Sequence, residues 1–225
     1  MHSDEPSLLD HLSEIRKKAL PEDGGVSTVI YCGSIKSEAD MSDALATHRK
    51  IVEDEVNNEG CNITGILMGQ GSGIIHLLEG PCVSVLNIVR SLSEHSQFKK
   101  DGLQSGRIVY NIEDRPCRFY PEWYSCIIQE RRSQVDDVTA DSSGDIVHDM
   151  AVGLFEVGKG LQNVAPGEVE LNRYSNHLPG KNLILALSSS EHFFSIEEYV
   201  EVFADSYHVE LESENNWPVE PLVRY

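Results

Sequence analysis

The fold is decided by the stretch Ile63-Thr64-Gly65-Ile66-Leu67-Met68-Gly69-Gln70-Gly71-Ser72-Gly73-Ile74-Ile75-His76-Leu77-Leu78. Its two apolar runs flank a glycine-rich segment, which predicts a β-hairpin with a tight turn. The second run is apolar on both faces except at His76. Both faces of the sheet should therefore be covered by other elements.

Strand and helix patterns alternate on both sides of this hairpin. They predict, in chain order, a strand at 28–32, a helix at 40–56, the two hairpin strands at 63–68 and 73–78, a helix at 82–92, and strands at 106–112 and 123–128. The order β-α-β-β-α-β-β is the ferredoxin-like arrangement with one additional strand. We therefore predict an α+β domain over residues 27–130.

The two ends of the chain read as segments outside this domain. Residues 1–26 should form a short N-terminal amphipathic helix and a linker. The tail that begins near Trp217 is extended by its prolines and keeps apolar side chains. Such segments often dock on other proteins. The candidate partner-binding residues are Leu8, Leu12, Ile15, Trp217, Pro218 and Tyr225.

A polar linker and a partly helical extension follow the domain. Residues 131–145 lack periodicity and should be mobile, whereas 146–225 form the extension. A helix over 146–161 has a broad apolar face that could cover the second face of the sheet. A short strand is expected at 183–187, and Ser195 and Glu198 have the spacing of a capping box.

The charge balance limits the classes of partner. The chain has 18 Lys+Arg against 37 Asp+Glu, a formal net charge of −19, which repels nucleic acids and anionic membranes. The acidic start resembles no secretory signal, and no run approaches the ~20 apolar residues of a membrane span. Five cysteines without a CxxC pair suggest neither disulfides nor a zinc or other metal site. We expect a cytoplasmic protein.

One motif set resembles a known family. It consists of Asn58-x6-Gly65-Ile66-Leu67-Met68, then Ile74-Ile75-His76-Leu77-Leu78-Glu79-Gly80-Pro81, and later Arg118-Phe119-x3-Trp123. This set resembles the BLUF domain, the blue-light sensor that uses flavin, over about residues 27–128. The resemblance places Tyr31, Asn58, His76 and Trp123 around a flavin cleft.

The resemblance also has departures. The family has a glutamine between the tyrosine and the flavin, where this chain has His76, and an imidazole cannot reproduce the amide's paired donor and acceptor. Asp54 and Ser125 stand where the family often has serine and methionine. The cleft is therefore expected to be vestigial, with no cofactor and no photochemistry. The layout, with Trp217-Pro218 near the end, is similar to the testis-expressed, ciliary BLUF-like proteins of eukaryotes.

Three functions are compatible with these features of the sequence. The favoured hypothesis is a non-catalytic structural protein of a multi-subunit complex, with the axoneme of motile cilia or flagella as the best match. An alternative is a flavin-binding blue-light or redox sensor, holding FAD or FMN, with an altered relay through Tyr31, His76 and Trp123. The third is an enzyme using a pair such as Cys61 and His76, although no catalytic motif supports it. By analogy with BLUF domains a homodimer is also compatible with the sequence.

Overall fold

The computed structural model describes residues 25–94, 103–130, 138–162, 164 and 171–203. The predicted N-terminal helix and the candidate partner-binding residues at both ends lie outside these ranges. None of the helices within them is long and apolar enough to cross a membrane.

Within the described ranges, six strands form one sheet. They are β1 Val26–Ile35, β2 Thr64–Gln70, β3 Gly73–Gly80, β4 Leu103–Arg115, β5 Trp123–Ile127 and β6 Phe194–Ser195. Their order in the sheet is β5-β2-β3-β1-β4-β6. β1 lies between β3 and β4 and is antiparallel to both, β2 is antiparallel to β3, and β5 is parallel to β2. This order confirms the predicted ferredoxin-like arrangement with a fifth strand beside β2, as in BLUF domains.

Five α-helices of the described part of the chain accompany the sheet. They are α1 Met41–Glu59, α2 Cys82–Glu94, α3 Ala140–Leu161, α4 Lys181–Ser189 and α5 Ile196–Phe203. Alternate residues of β1 separate two cores, because successive strand side chains point to opposite faces. Val29 and Tyr31 pack with α1, α2 and α5, whereas Ile30 and Cys32 pack with α3 and α4. The expectation that the helix after residue 146 covers the second face of the sheet is thus confirmed.

Two glycines make the central hairpin feasible. Gly71 opens the two-residue loop between β2 and β3 with a φ of +57°, a conformation that glycine adopts at little cost. Gly65 has a φ of +136°, and a Cβ there would lie 2.0 Å from the backbone oxygen of Leu77. β2 can therefore approach β3 at this point only with glycine.

The region after residue 130 differs from the sequence-based expectation in two places. The polar linker was expected to reach residue 145, but α3 begins at Ala140 because Thr139 and Ser142 form a reciprocal capping box. Residues 183–187 were expected to form a strand and instead belong to α4. A short apolar run does not by itself distinguish a strand from a buried helix. The third prediction is confirmed, since Ser195 and Glu198 cap each other's backbone N–H groups at the start of α5.

Candidate functional site

The structure brings together three of the four residues predicted to surround a flavin cleft. Tyr31 on β1 is the direct cross-strand neighbour of His76 on β3, and both side chains are fully buried. Trp123 begins β5 and is half-buried. All three point to the face of the sheet that α1 and α2 cover, so they form one cluster.

Hydrogen bonds fix the imidazole of His76 on both sides. Trp123 Nε1–H donates to Nε2 of His76 at 3.0 Å. Because an indole N–H is only a donor, Nε2 must be the unprotonated acceptor. In the neutral imidazole the proton is therefore on Nδ1, which lies 3.2 Å from Tyr31 Oη and donates to it.

A second histidine completes the cluster and was missed at the level of sequence. His48 on α1 is fully buried, and its Nδ1 donates to the backbone oxygen of Ala44 at 2.7 Å. Its ring stacks on Tyr31 at a centroid distance of 5.9 Å and meets the edge of His76 at 5.7 Å. The helical spacing of Met41, Leu45, His48 and Val52 would have placed this side chain on the apolar face of the helix.

Burial keeps these groups uncharged. Desolvation lowers the pKa of His48 to about 4. It also lowers the pKa of His76 well below its usual value, and the neighbouring His48 lowers it further. The pKa of Tyr31 is raised, first by burial. Near neutral pH the cluster is thus a neutral, hydrogen-bonded core in which no group readily gains or loses a proton.

The other residues singled out from the sequence are exposed on α1 or lie at the margin of this cluster. Asn58 is exposed in the last turn of α1, and Asp54 is exposed on the same helix. Ser125 is half-buried on β5. Cys61 is a half-buried thiol at the margin of the core that contains Tyr31. Asn58 therefore belongs to the exposed end of the helix that stops at Gly60, and not to the cluster around His76.

The glutamate of the Leu-Glu-Gly-Pro motif has a structural environment of its own. Glu79 is fully buried and pairs with Arg115 Nη1 at 2.9 Å. It also accepts hydrogen bonds from the backbone N–H groups of Phe119 and Tyr120 and from the hydroxyl of Thr64. The carboxylate thus ties the loop between β4 and β5 to the sheet, and this loop delivers Trp123 to His76.

Further contacts hold the loop between β4 and β5 in place. Arg118 donates to the backbone oxygen of Glu79 at 2.8 Å, and the Arg115 guanidinium lies 3.9 Å from the centre of the Phe119 ring. Tyr120 Oη donates to the backbone oxygen of Leu154 in α3. The Arg118-Phe119-x3-Trp123 part of the motif therefore joins both cores of the molecule.

Comparison with known proteins gives a family match over most of the chain. The family model described as testis-expressed protein 47 matches residues 26–205, which include the whole sheet and all five α-helices. This match covers more than half of the chain.

Solved BLUF structures are also similar, at low sequence identity. The dark-state structure of BlrB, a BLUF protein, is 19% identical, with 48% of this chain and 75% of that chain covered and a TM-score of 0.36. The photo-activated state of BlsA is 12% identical, with 73% and 99% covered and a TM-score of 0.37. The BLUF-like fold of this chain rests on its own strand order and element sequence.

Proposed function

The chain belongs to the testis-expressed protein 47 family, and we propose that it is a non-catalytic structural component of the axoneme of motile cilia or sperm flagella. Its BLUF-like domain serves as a rigid platform that binds no flavin and performs no photochemistry. The observation that carries this proposal is the environment of His76, whose two ring nitrogens are both engaged by protein groups.

The chemistry of His76 supports a platform rather than a photoreceptor. A neutral imidazole has one donor and one acceptor, and here Tyr31 and Trp123 use both. No polar atom of His76 remains for a flavin ring. Buried His48 packs against Tyr31 and His76 from the helix side, so these residues do not fit a flavin held as the BLUF resemblance implies.

The charge supports protein partners. A net charge of −19 opposes binding to nucleic acids and anionic membranes. The family is testis-expressed, which favours a role in sperm. The fold resembles a light sensor but has His76 in place of the switching glutamine, which favours a cytoplasmic assembly role over sensing. We therefore propose neighbouring axonemal proteins as the partners.

Fractionation of sperm or ciliated cells tests this assignment. We expect the tagged full chain to remain with detergent-extracted axonemes, and a chain lacking residues 1–24 and 204–225 to be lost from them. The candidate partner-binding residues lie in those two segments. Recovery of the full chain in the soluble fraction would contradict the axonemal role, and equal incorporation of the two chains would contradict the role of the termini.

One observation favours the alternative of a flavin-binding sensor with an altered relay. Tyr31, His76 and Trp123 form a continuous hydrogen-bonded path from β1 to β5, which could position a proton or a radical if a flavin lay beside it. This hypothesis requires that the purified chain bind FAD or FMN. Protein that stays colourless after incubation with either flavin and desalting would eliminate it.

A further inference from the structure

One edge of the sheet is formed by β5. Within the described ranges no strand lies beyond β5. The backbone N–H of Gly65 bonds to the oxygen of Glu122, and the N–H of Ile128 bonds to the oxygen of Gly69. In a parallel ladder the intervening residues direct their backbone groups the other way. The N–H and C=O groups of Ser125 and Ile127 are therefore presented at the edge, where another strand could pair with them.

A groove runs beside this edge, between β5 and α1. It has a volume of about 330 Å³ and is lined on the strand side by Ser125, Cys126 and Ile127. Small residues of α1, Ser42 and Ala46, leave the space open. Ile127 is 57% exposed, so an added strand would cover part of an apolar side chain on this face of the sheet.

The helix side of the groove is positively charged in an acidic protein. Arg49 and Lys50 line the groove and are exposed, and neither has an ion pair with the part of the chain that the structure describes. Glu53 is the acidic residue in the lining. Two neighbouring cations beside open backbone groups select for carboxylates on an incoming segment.

We propose that this groove is a docking site for an extended, acidic segment of a partner protein, which adds to the sheet as a strand beside β5. Main-chain hydrogen bonds to Ser125 and Ile127 would supply affinity, and carboxylates on alternate residues would meet Arg49 and Lys50. A second copy of this chain is a poor occupant, because each copy carries a net charge of −19. The inference deepens the proposed assembly role by naming the surface and the chemistry of the partner.

A binding titration with the full chain tests the site. The probe is a labelled, end-blocked peptide that alternates glutamate and valine, and its control alternates lysine and valine. We expect the acidic peptide to bind and the basic peptide not to bind, as measured by fluorescence anisotropy. The R49E and K50E variants should each weaken binding roughly tenfold, the change that corresponds to loss of one strong contact. K36E, which makes the same charge change outside the groove lining, should leave binding unchanged.

A backbone variant tests strand addition separately from charge. S125P removes a backbone N–H that points away from β2. The hydrogen bonds between β5 and β2 should remain, because proline is tolerated where the N–H of an edge strand faces outward. We expect S125P to abolish binding and S125A to retain it. Absence of binding by the acidic peptide, or equal binding by S125P and S125A in folded protein, would overturn the proposal. Self-association of the chain that S125P prevents would also overturn it, in favour of a second copy.

These outcomes are independent of the axonemal role. A chain that fails to bind the peptide but still remains with extracted axonemes would refute the groove and leave the assembly function standing. A chain that binds the peptide through Ser125 but is absent from axonemes would refute the axonemal assignment and leave the groove standing.

Discussion

An imidazole at position 76 is held between a phenol and an indole, and this arrangement depends on its being neutral. Protonation of Nε2 would place a proton opposite the N–H of Trp123 at 3.0 Å, where two donors would face each other. His48, with its ring 5.7 Å away, would add charge repulsion. The cluster is therefore stabilised only while both histidines are uncharged.

Acid should therefore destabilise the fold through these two residues. Their pKa values are lowered by burial, that of His48 to about 4, so below about pH 6.5 the unfolded chain binds protons that the folded chain does not. Stability should be complete above that pH and fall by up to about 1.4 kcal/mol per pH unit for each buried imidazole. Urea unfolding between about pH 7.5 and pH 5 measures this slope.

The matched control replaces a histidine that is exposed. His48→Leu should reduce the dependence of the unfolding free energy on pH, whereas His192→Gln, at an exposed position, should leave it unchanged. An unfolding free energy that is constant over this range in the parent chain would show that the cluster is not buried as described.

Glu79 illustrates why a buried charge needs every partner that it has. Arg115→Ala removes the cation from a carboxylate with no exposed surface, and breaking a buried pair costs about 3–5 kcal/mol. Lys159→Ala removes an ion pair with Glu156 in which both side chains are about half exposed, and solvent screening leaves such pairs with little effect on stability. In denaturant unfolding, Arg115→Ala should therefore lower the free energy of unfolding several times more than Lys159→Ala does. Similar losses in the two variants would contradict the structural role of Glu79.

At the scale of elements, the helix that follows the BLUF-like strands is part of the main core. Leu154 of α3 is fully buried, and Val152 on the same helix is 43% exposed. Leu154→Ala should cost about 2–5 kcal/mol, and Val152→Ala much less. Both variants should still unfold in a single transition, as monitored by circular dichroism and tryptophan fluorescence. Separate transitions would mean that α3 is a dispensable addition.

The strands and the first two helices could be predicted because the local sequence pattern of each favours the same structure that the fold gives it. β-branched runs, the glycine-rich turn and the apolar stripe of α1 each indicate one structure. The segment 183–187 gives no such indication, because a uniformly apolar run has neither the period of a helix nor that of a strand. In the structure α4 buries Leu183, Ile184 and Leu187 against the sheet, so tertiary packing decided its conformation.

The sequence identified three residues of the His76 cluster, but it missed His48 and misplaced Asn58. Tyr31 and His76 are cross-strand partners, Trp123 reaches His76 from β5 with its side chain, and the family resemblance places all three at one cleft. His48 comes from a helix whose packing on the sheet no local pattern specifies. Asn58 matches the motif by spacing, but it lies in the exposed last turn of α1. Spacing along the chain therefore did not guarantee convergence in space.

For the whole molecule, two layers of helices cover the sheet on both faces, and Glu79, Tyr120 and Trp123 connect the layers through the loop before β5. A domain built in this way can present binding surfaces to neighbouring proteins in fixed positions. We propose that this platform role has replaced flavin photochemistry, because His76 is committed to hydrogen bonds within the protein.

The absorption spectrum of the purified full chain tests that claim most directly. It is recorded from the near ultraviolet through the blue, before and after incubation with excess FAD or FMN and removal of unbound flavin. We predict that no flavin band remains with the protein and that blue light changes nothing. A structured flavin band that persists after desalting, and that shifts upon illumination, would contradict this proposal and favour a flavin sensor that works through Tyr31, His76 and Trp123.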